Sequence, residues 1–254
     1  MKTTKLLGIL WVSFFTICFT ACSDDEQIDP IRFPNYSYDI RMMLGRSISF
    51  VDGSGDYTIN IENPEILDAA INSDIKSLQI NPKQKGETTV SITDNKAKST
   101  VELKLTVTDF YIGFKNAASN HSNPILSPDT FLFLVNNDTH DFYLYDKEEN
   151  ITYSRPLNGS FEFKEIDSEP YLILYYRNYQ NRYEEETIRL NMVGEYNMLR
   201  LMNRWFELGW GDYNQEQSPR MSMPPTYYLY LRDNGSDIAY LLQPNTYLPT
   251  GYLK

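Results

Sequence analysis

The sequence predicts an all-β protein with two consecutive antiparallel β domains and one short helix in the second. Short runs in which apolar and polar residues alternate recur at close spacing, and clusters of Gly, Asn, Asp and Pro separate them. Alternation with a period of two is the pattern of a half-buried strand, and turn residues between such runs indicate antiparallel connections. The aromatic content also changes sharply part-way along the chain, which indicates two domains.

The boundary between the two domains is predicted near residue 109. Of the 20 tyrosines, 17 follow residue 110, and so do Trp205 and Trp210. We therefore divide the chain into a leader at 1–21, an acidic tether at 22–34, a first β domain at 35–108 and a second, Tyr-rich β domain at 109–254.

The leader is a short apolar segment that ends just before Cys22. Lys2 and Lys5 precede an apolar run that is shorter than the roughly 20 residues of a membrane-spanning helix. A charged start, a short apolar run and small residues are typical of a secretory signal. Ala21-Cys22 resembles a bacterial lipobox, in which the Cys is lipidated, although Phe19 stands where Leu is usual.

The acidic stretch Ser23-Asp24-Asp25-Glu26 resembles the surface-export signal of Bacteroidetes lipoproteins. The resemblance implies an outer-membrane lipoprotein that is exposed on the cell surface and is held in the membrane by a diacylglycerol on Cys22. Two acyl chains suit this role because a single chain anchors a protein only marginally. The alternative is an ordinary signal peptide cleaved elsewhere, which would leave Cys22 as a free thiol.

Charge and cysteine content narrow the classes of partner. The net charge is −11, and it becomes −13 once the two lysines of the leader are removed. Phosphate binding needs clustered Lys and Arg, so nucleic acid is not an expected partner. The only cysteines are Cys18, in the leader, and Cys22. The body therefore has no disulfide and no Cys-based metal site, and we expect no cofactor and no metal.

The first domain contains seven candidate strands, at 36–40, 47–51, 57–61, 66–71, 78–80, 89–93 and 101–107. Seven short strands separated by turns are typical of an antiparallel sandwich. Gly53-Ser54-Gly55-Asp56-Tyr57, Asn63-Pro64-Glu65-Ile66 and Thr88-Thr89-Val90-Ser91-Ile92-Thr93-Asp94 look like a bacterial immunoglobulin-like (Big) domain. The resemblance implies an immunoglobulin-like β-sandwich, which in that family commonly acts as a spacer or an adhesive module.

The cluster 52–56 in this domain is interpreted as a glycine-rich hairpin turn. A calcium loop is the alternative, because Asp52, Ser54 and Asp56 could supply oxygen ligands. An EF-hand loop requires Glu at its twelfth position and helices on both sides. Asn63 occupies that position here and strands flank the loop, so the hairpin interpretation is favoured.

The second domain contains eight candidate strands rich in aromatic residues, at 110–114, 131–135, 142–145, 161–163, 171–176, 186–192, 227–231 and 238–242. Hairpin turns are predicted at 136–138, 158–160 and 233–236. Leu199, Met202, Trp205 and Phe206 recur at helical spacing and predict a helix at 196–208. We expect an antiparallel meander that forms either a sandwich or a barrel.

No catalytic constellation is apparent in the sequence. His121 and His140 lie in polar loops without zinc-ligand spacing, and no Gly-x-Ser-x-Gly motif is present. A glycosidase needs two carboxylates across a cleft. Candidate acids occur at 184–186, Asp212 and Glu216, but a solvated charge run is the favoured interpretation. We expect no enzymatic activity, and a hydrolase remains an alternative.

The segment Trp205–Tyr213 is the strongest candidate for a binding surface. Exposed aromatic rings beside carboxylates can hold sugars, and Trp205, Trp210, Asp212 and Tyr213 are the candidate ligand-binding residues. The alternative is that the two indoles fill the core, since each aromatic side chain buries a large area.

These observations predict a lipid-anchored, non-enzymatic cell-envelope protein in which a Big-like stalk presents a β-rich interaction head. The alternative is a glycan-binding lipoprotein that captures polysaccharide through the platform at Trp205–Tyr213. The partner would be a glycan or an envelope protein, and edge strands could also accept a strand from a partner.

Overall fold

The computed structural model describes residues 29–119, 126–145, 157–177, 185–194, 196–211, 228–233, 239–244 and 247–253. These residues form two β domains, a sandwich followed by a closed barrel. The predicted all-β class with a second antiparallel β domain is confirmed, and of the two alternatives for the second domain the chain forms the barrel.

Seven strands form the sandwich: β1 Ser37–Arg41, β2 Arg46–Ser49, β3 Tyr57–Ile61, β4 Leu67–Asn72, β5 Ser77–Pro82, β6 Gly86–Asp94 and β7 Ser99–Thr108. One sheet has the order β1-β7-β6-β3 and the other has the order β2-β5-β4. An immunoglobulin domain likewise places its second, fifth and fourth strands in one sheet and its third, sixth and seventh in the other.

The segment from Arg32 to the end of β1 contacts both sheets of the sandwich. Upstream of β1, Arg32 forms an antiparallel bridge with Val51, beyond the end of β2. β1 itself pairs in parallel with β7, so that Arg41 lies opposite Thr108. The core between the sheets is aliphatic, with Ile40, Leu67 and Leu103 fully buried. The alternating strands of the sequence therefore face this core with every second residue.

Eight strands form the barrel: β8 Phe110–Ser119, β9 Phe131–Asn136, β10 Asp141–Tyr145, β11 Leu157–Ile166, β12 Glu169–Arg177, β13 Glu185–Gly194, β14 Leu229–Asp233 and β15 Ala239–Pro244. Each strand pairs antiparallel with its neighbours in the sequence, and β15 pairs with β8 to close the barrel. A β-bulge between Leu241 and Leu242 interrupts the closing pair.

Side chains fill the barrel, and one helix packs against this core. The interior cluster includes Phe114, Phe142 and Tyr240, all fully buried. The helix α1, Tyr196–Trp205, lies between β13 and β14 and contributes Met198, Leu199 and Met202 to that cluster, and Phe206 follows the helix directly. An eight-stranded barrel is just wide enough for side chains to fill its interior. Among the described residues, no helix has the length and apolarity needed to cross a membrane.

The C-terminal segment, residues 247–253, covers the outer face of β8, β9 and β10. Leu248 is buried against an outer aromatic cluster that contains Tyr111, Phe131, Phe133 and Tyr145. Tyr143 and Tyr252 pack edge to face at its margin, with ring centroids 5.3 Å apart. This part of the barrel wall is therefore buried on both faces, which is why β9 is apolar at consecutive positions.

Two of the expected hairpin turns are wrong. The cluster 52–56 joins β2 to β3, which lie in different sheets, so it is a connection between sheets. Residues 158–160 lie within β11 and pair with β12. The turn at 136–138 does join β9 to β10, as expected. Asp233 ends β14, and residues 234–236 lie outside the described ranges.

Gly159 provides a test of the β11–β12 register. A Cβ at this position would lie 1.9 Å from the backbone oxygen of Tyr175. We expect Gly159→Ala to lower the free energy of unfolding by about 1–3 kcal/mol, because the two backbones would have to separate. Urea titration followed by far-UV circular dichroism measures the difference.

Gly211→Ala is the matched control, because a Cβ at Gly211 would meet nothing within 4 Å. Its unfolding midpoint should stay near that of the parent chain. Equal midpoints for both variants would contradict the close approach of β12 to Gly159.

Candidate functional site

The aromatic segment that follows α1 closes the barrel at the end near the sandwich. Phe206 and Trp210 are only 7% and 6% exposed. The ring of Phe163 lies 5.0 Å from that of Phe206 and 6.2 Å from that of Trp210. Asn203 fixes the loop, since its side chain accepts a hydrogen bond from the backbone N–H of Trp210 and donates one to the backbone oxygen of the same residue.

Trp210 does not offer an exposed platform in this conformation, because its ring packs into the barrel core. Trp205 is half-buried, and its ring centroid lies 5.4 Å from that of Phe110. Asp212 and Tyr213 lie outside the described residues. The structure thus places Trp210 according to the core-packing interpretation, and Trp205 lies partly buried at the edge of that core.

The sandwich and the barrel meet at a joint formed by three pieces of chain. The first is the turn after β1, where Met42 packs against both hydrophobic cores and Leu44 against the barrel core. The second is the passage from β7 to β8, where the backbone N–H of Met42 donates to the oxygen of Thr108. The third is the C-terminal segment 247–253.

The C-terminal segment is hydrogen-bonded to both domains. The backbone N–H of Gly251 donates to the Asp39 carboxylate in the sandwich, at 2.6 Å. The N–H of Leu248 donates to the hydroxyl of Tyr111 in the barrel, at 3.1 Å. These two bonds hold the end of the chain across the joint.

An open cleft of about 430 Å³ lies at this joint. The sandwich side contributes Asp39, Arg41, Leu44, Gly45, Arg46 and Ser47, and the barrel side contributes Tyr111, Tyr247, Leu248 and Thr250. Asp39 and Arg41 share one face of β1 because side chains two positions apart point the same way along a strand. The volume is within the range of small-molecule sites.

Arg41 is held between two tyrosine rings in this cleft. Its guanidinium carbon lies 5.0 Å from the centroid of Tyr111 and 4.8 Å from that of Tyr247. Its Nη1 donates to the backbone oxygen of Tyr111, at 3.0 Å. Cation–π contacts on two rings fix both the arginine and the exposed ring of Tyr247.

Arg46 is the second cation of the cleft. Its Nη1 donates to the backbone oxygen of Asp39, and its guanidinium lies over the ring of Tyr38. Within the described part of the chain, neither Arg41 nor Arg46 has a carboxylate within 4 Å. Partial burial raises the pKa of the Asp39 carboxyl, and the Gly251 N–H and the charge of Arg46 oppose that shift.

The connection 52–56 is fixed to the sandwich by a buried carboxylate. The backbone N–H and the hydroxyl of Ser54 both donate to Asp94, which is fully buried. Burial by itself raises the pKa of Asp94, but the bonds from Ser54 and from the amides of Ala97 and Lys96 lower it overall. In the described residues, no group of three His, Cys, Asp or Glu side chains could hold a metal ion.

Several residues singled out in the sequence lie outside the described residues: Cys22, His121, Glu184, Asp212, Tyr213 and Glu216. Glu185 and Glu186 open β13. His140 lies in the β9–β10 turn, with its ring 5.3 Å from that of Phe161.

Sequence reasoning missed the cleft residues Arg41, Arg46 and Tyr247. They come from distant parts of the chain, and no spacing pattern connects them. The one sequence signal for this cleft was that an acidic chain carries an arginine on each side of the Gly45 turn, Arg41 before it and Arg46 after it.

A scan against protein-family models finds no match for the chain, and a search of the curated proteins finds none either. Solved structures of the S-layer protein SbsC resemble it in part. Its domains 4 and 5 align with a TM-score of 0.28 and 14% identity over 32% of this chain and 45% of that chain. SbsC domains 4–9 align with a TM-score of 0.29 and 8% identity, over 66% of this chain and 32% of that chain.

SbsC domains 5–6 give a TM-score of 0.28 and 11% identity, over 65% of this chain and 88% of that chain. This chain spans less than half the length of the first of the three structures. TM-scores of this size do not establish a common fold.

Trp210→Ala distinguishes core packing from a surface role. We expect the free energy of unfolding to fall by about 3–5 kcal/mol, because the substitution removes a large buried side chain and leaves a cavity. The control is Tyr36→Ala, at a position that is 56% exposed, with an expected change within about 0.5 kcal/mol. A Trp210→Ala variant as stable as the control would contradict the buried position.

The outer aromatic cluster predicts a loss of stability at alkaline pH. Burial raises the pKa of Tyr111, Tyr143 and Tyr145 above the ordinary tyrosine value of about 10. Since the folded state holds these protons more tightly, this contribution is complete below about pH 10 and is lost as the pH rises through the folded-state pKa values.

Urea titrations between pH 8 and pH 11 measure this dependence. The decrease above pH 10 should be smaller in Tyr145→Phe, which retains the ring and cannot ionise. Equal decreases in the parent chain and in the variant would exclude Tyr145 as a source of the effect.

Proposed function

We propose that the chain is a lipid-anchored, non-enzymatic protein of the cell envelope, in which the immunoglobulin-like sandwich is a stalk that presents the barrel. The anchor is the diacylglycerol expected on Cys22, and the location is the outer membrane with exposure at the surface. The leader and the acidic residues after Cys22 support the anchor. The position of Asp29 relative to the barrel supports the stalk.

Asp29 belongs to the predicted tether and is its first residue that the structure describes, and it lies at the end of the sandwich away from the barrel. Its backbone oxygen accepts a hydrogen bond from Gly53. The next residue, Ser54, donates to Asp94, which pairs with Ser99 at the start of β7. The tether therefore enters the sandwich beside the start of β7.

The barrel follows the other end of β7. β7 contains ten residues, from Ser99 to Thr108, and β8 begins at Phe110. At about 3.3 Å per residue, β7 spans roughly 30 Å. The sandwich thus separates the tether from the barrel along its full length, as a stalk does, and the joint at Arg41 and Gly251 fixes the barrel on its end.

Cys22→Ser tests the anchor. We expect to find the parent chain in the membrane fraction, and we expect mass spectrometry to detect a diacylglycerol on its Cys22. The variant should lack the lipid. A parent chain that is cleaved elsewhere and carries an unmodified Cys22 would contradict the proposal.

The stalk orientation is tested with fluorophores at Lys96→Cys, beside the tether, and at Thr187→Cys, near the far end of the barrel. Energy transfer to an acceptor on lipid headgroups should be stronger from position 96, because the sandwich separates position 187 from the membrane. Both positions are exposed, so each variant is a control for the other. Equal or stronger transfer from position 187 would contradict a stalk.

A further inference from the structure

We propose that the cleft between the sandwich and the barrel binds the carboxylate of an acidic saccharide, with Arg46 and Arg41 holding that group. The inference goes beyond the stalk function and does not depend on the lipid anchor. It rests on the charge, the hydrogen-bonding groups and the aromatic ring that the joint brings together.

The arginines supply the recognition of an anion. A guanidinium carries five N–H donors. Within the described ranges, Arg41 and Arg46 each donate one hydrogen bond, in both cases to a backbone oxygen. The planar fork of a guanidinium matches the two oxygens of a carboxylate. Among the described residues of the lining, Asp39 is the only acid beside two arginines, so this lining is positive in a chain whose net charge is −11.

The groups around the arginines suit a hydroxylated ring. Asp39 accepts the Gly251 N–H through one of its oxygens and has further acceptor capacity for a ligand hydroxyl. Ser47 and Thr250 add hydroxyl groups to the lining. A saccharide presents many hydroxyls that both donate and accept, which these side chains can satisfy.

Tyr247 supplies an aromatic surface for the ring of the sugar. It is 64% exposed, although Arg41 lies against its ring. The contact with Arg41 holds the ring in place before a ligand arrives, which lowers the entropy lost on binding. The electron-rich ring face can accept the C–H groups of a saccharide.

A peptide C-terminus is the competing source of a carboxylate. Such groups are commonly captured by successive backbone N–H groups. In this cleft the nearby Gly251 N–H is already bonded to Asp39, and the Leu248 N–H is bonded to Tyr111. The two guanidinium groups and the hydroxyl groups of the lining therefore favour the saccharide.

The test is isothermal titration of the full chain in non-ionic detergent with glucuronate, glucose, sulfate and an N-acetylated tripeptide. We expect glucuronate to bind and glucose to give no measurable heat. Arg46→Gln should weaken glucuronate binding at least tenfold, because a charge-assisted pair is lost. Asp39→Asn, which can still accept the Gly251 N–H, should retain or strengthen binding.

Arg232→Gln is the matched control. Arg232 is exposed on β14 of the barrel, and its replacement removes the same charge as Arg46→Gln does. The affinity of the Arg232→Gln variant for glucuronate should therefore stay within twofold of the parent value. Thermal unfolding should give similar midpoints for the parent chain and for both arginine variants. If Arg46→Gln lowers that midpoint, the Arg46→Lys variant is used in its place. Lysine retains the charge but lacks the planar fork, so Arg46→Lys should still weaken glucuronate binding.

Three results would overturn the proposal. The first is a folded parent chain that gives no response to glucuronate. The second is tighter binding of the tripeptide or of sulfate than of glucuronate. The third is equal affinity for glucuronate in the parent chain and in the folded Arg46 variant. Each result is independent of lipidation at Cys22 and of the orientation of the stalk, which the preceding experiments measure separately.

Discussion

The arrangement of the two domains depends on the contact of Arg41 with Tyr111 and Tyr247. Because β1 runs parallel to β7, Arg41 lies opposite Thr108, just before the barrel begins. Its hydrogen bond to Tyr111 and its position between two rings then join β1, β8 and the C-terminal segment at one point. The covalent connection between β7 and β8 is a single residue, Asp109, so non-covalent contacts at the joint determine how the two domains are arranged.

The interior of the barrel is packed with side chains in the part of the chain that the structure describes. Aromatic and aliphatic side chains fill the space inside the eight strands, and apolar side chains of α1 join this core, with Phe206 and Trp210 packed against Phe163. An eight-stranded barrel can fill its interior with side chains or keep room for one small ligand. The described part of this barrel does the former, and a cleft of about 430 Å³ lies at the joint between the two domains.

The strands and the helix could be predicted because their patterns are local. The apolar residues of β6 recur at every second position, and those of α1 recur at helical spacing. The prediction of a turn at 158–160 was wrong because Gly159 lies in a strand where the backbone of β12 approaches it closely. A glycine in a strand produces the same local sequence signal as a turn. The cleft could not be predicted, because its hydrogen bond from Gly251 to Asp39 joins residues 212 positions apart.

The same joint that creates the cleft also determines where the cleft faces. Asp94 and Asp29 mark the end of the sandwich at which the tether enters, whereas Arg41 and Arg46 mark the other end. β7 connects the two ends, so the cleft lies about one strand length from the tether. In the proposed lipid-anchored arrangement, Arg41 and Arg46 lie away from the headgroups, where a soluble acidic saccharide can reach them. The proposed stalk and the cleft therefore both depend on one topological fact, the parallel pairing of β1 with β7.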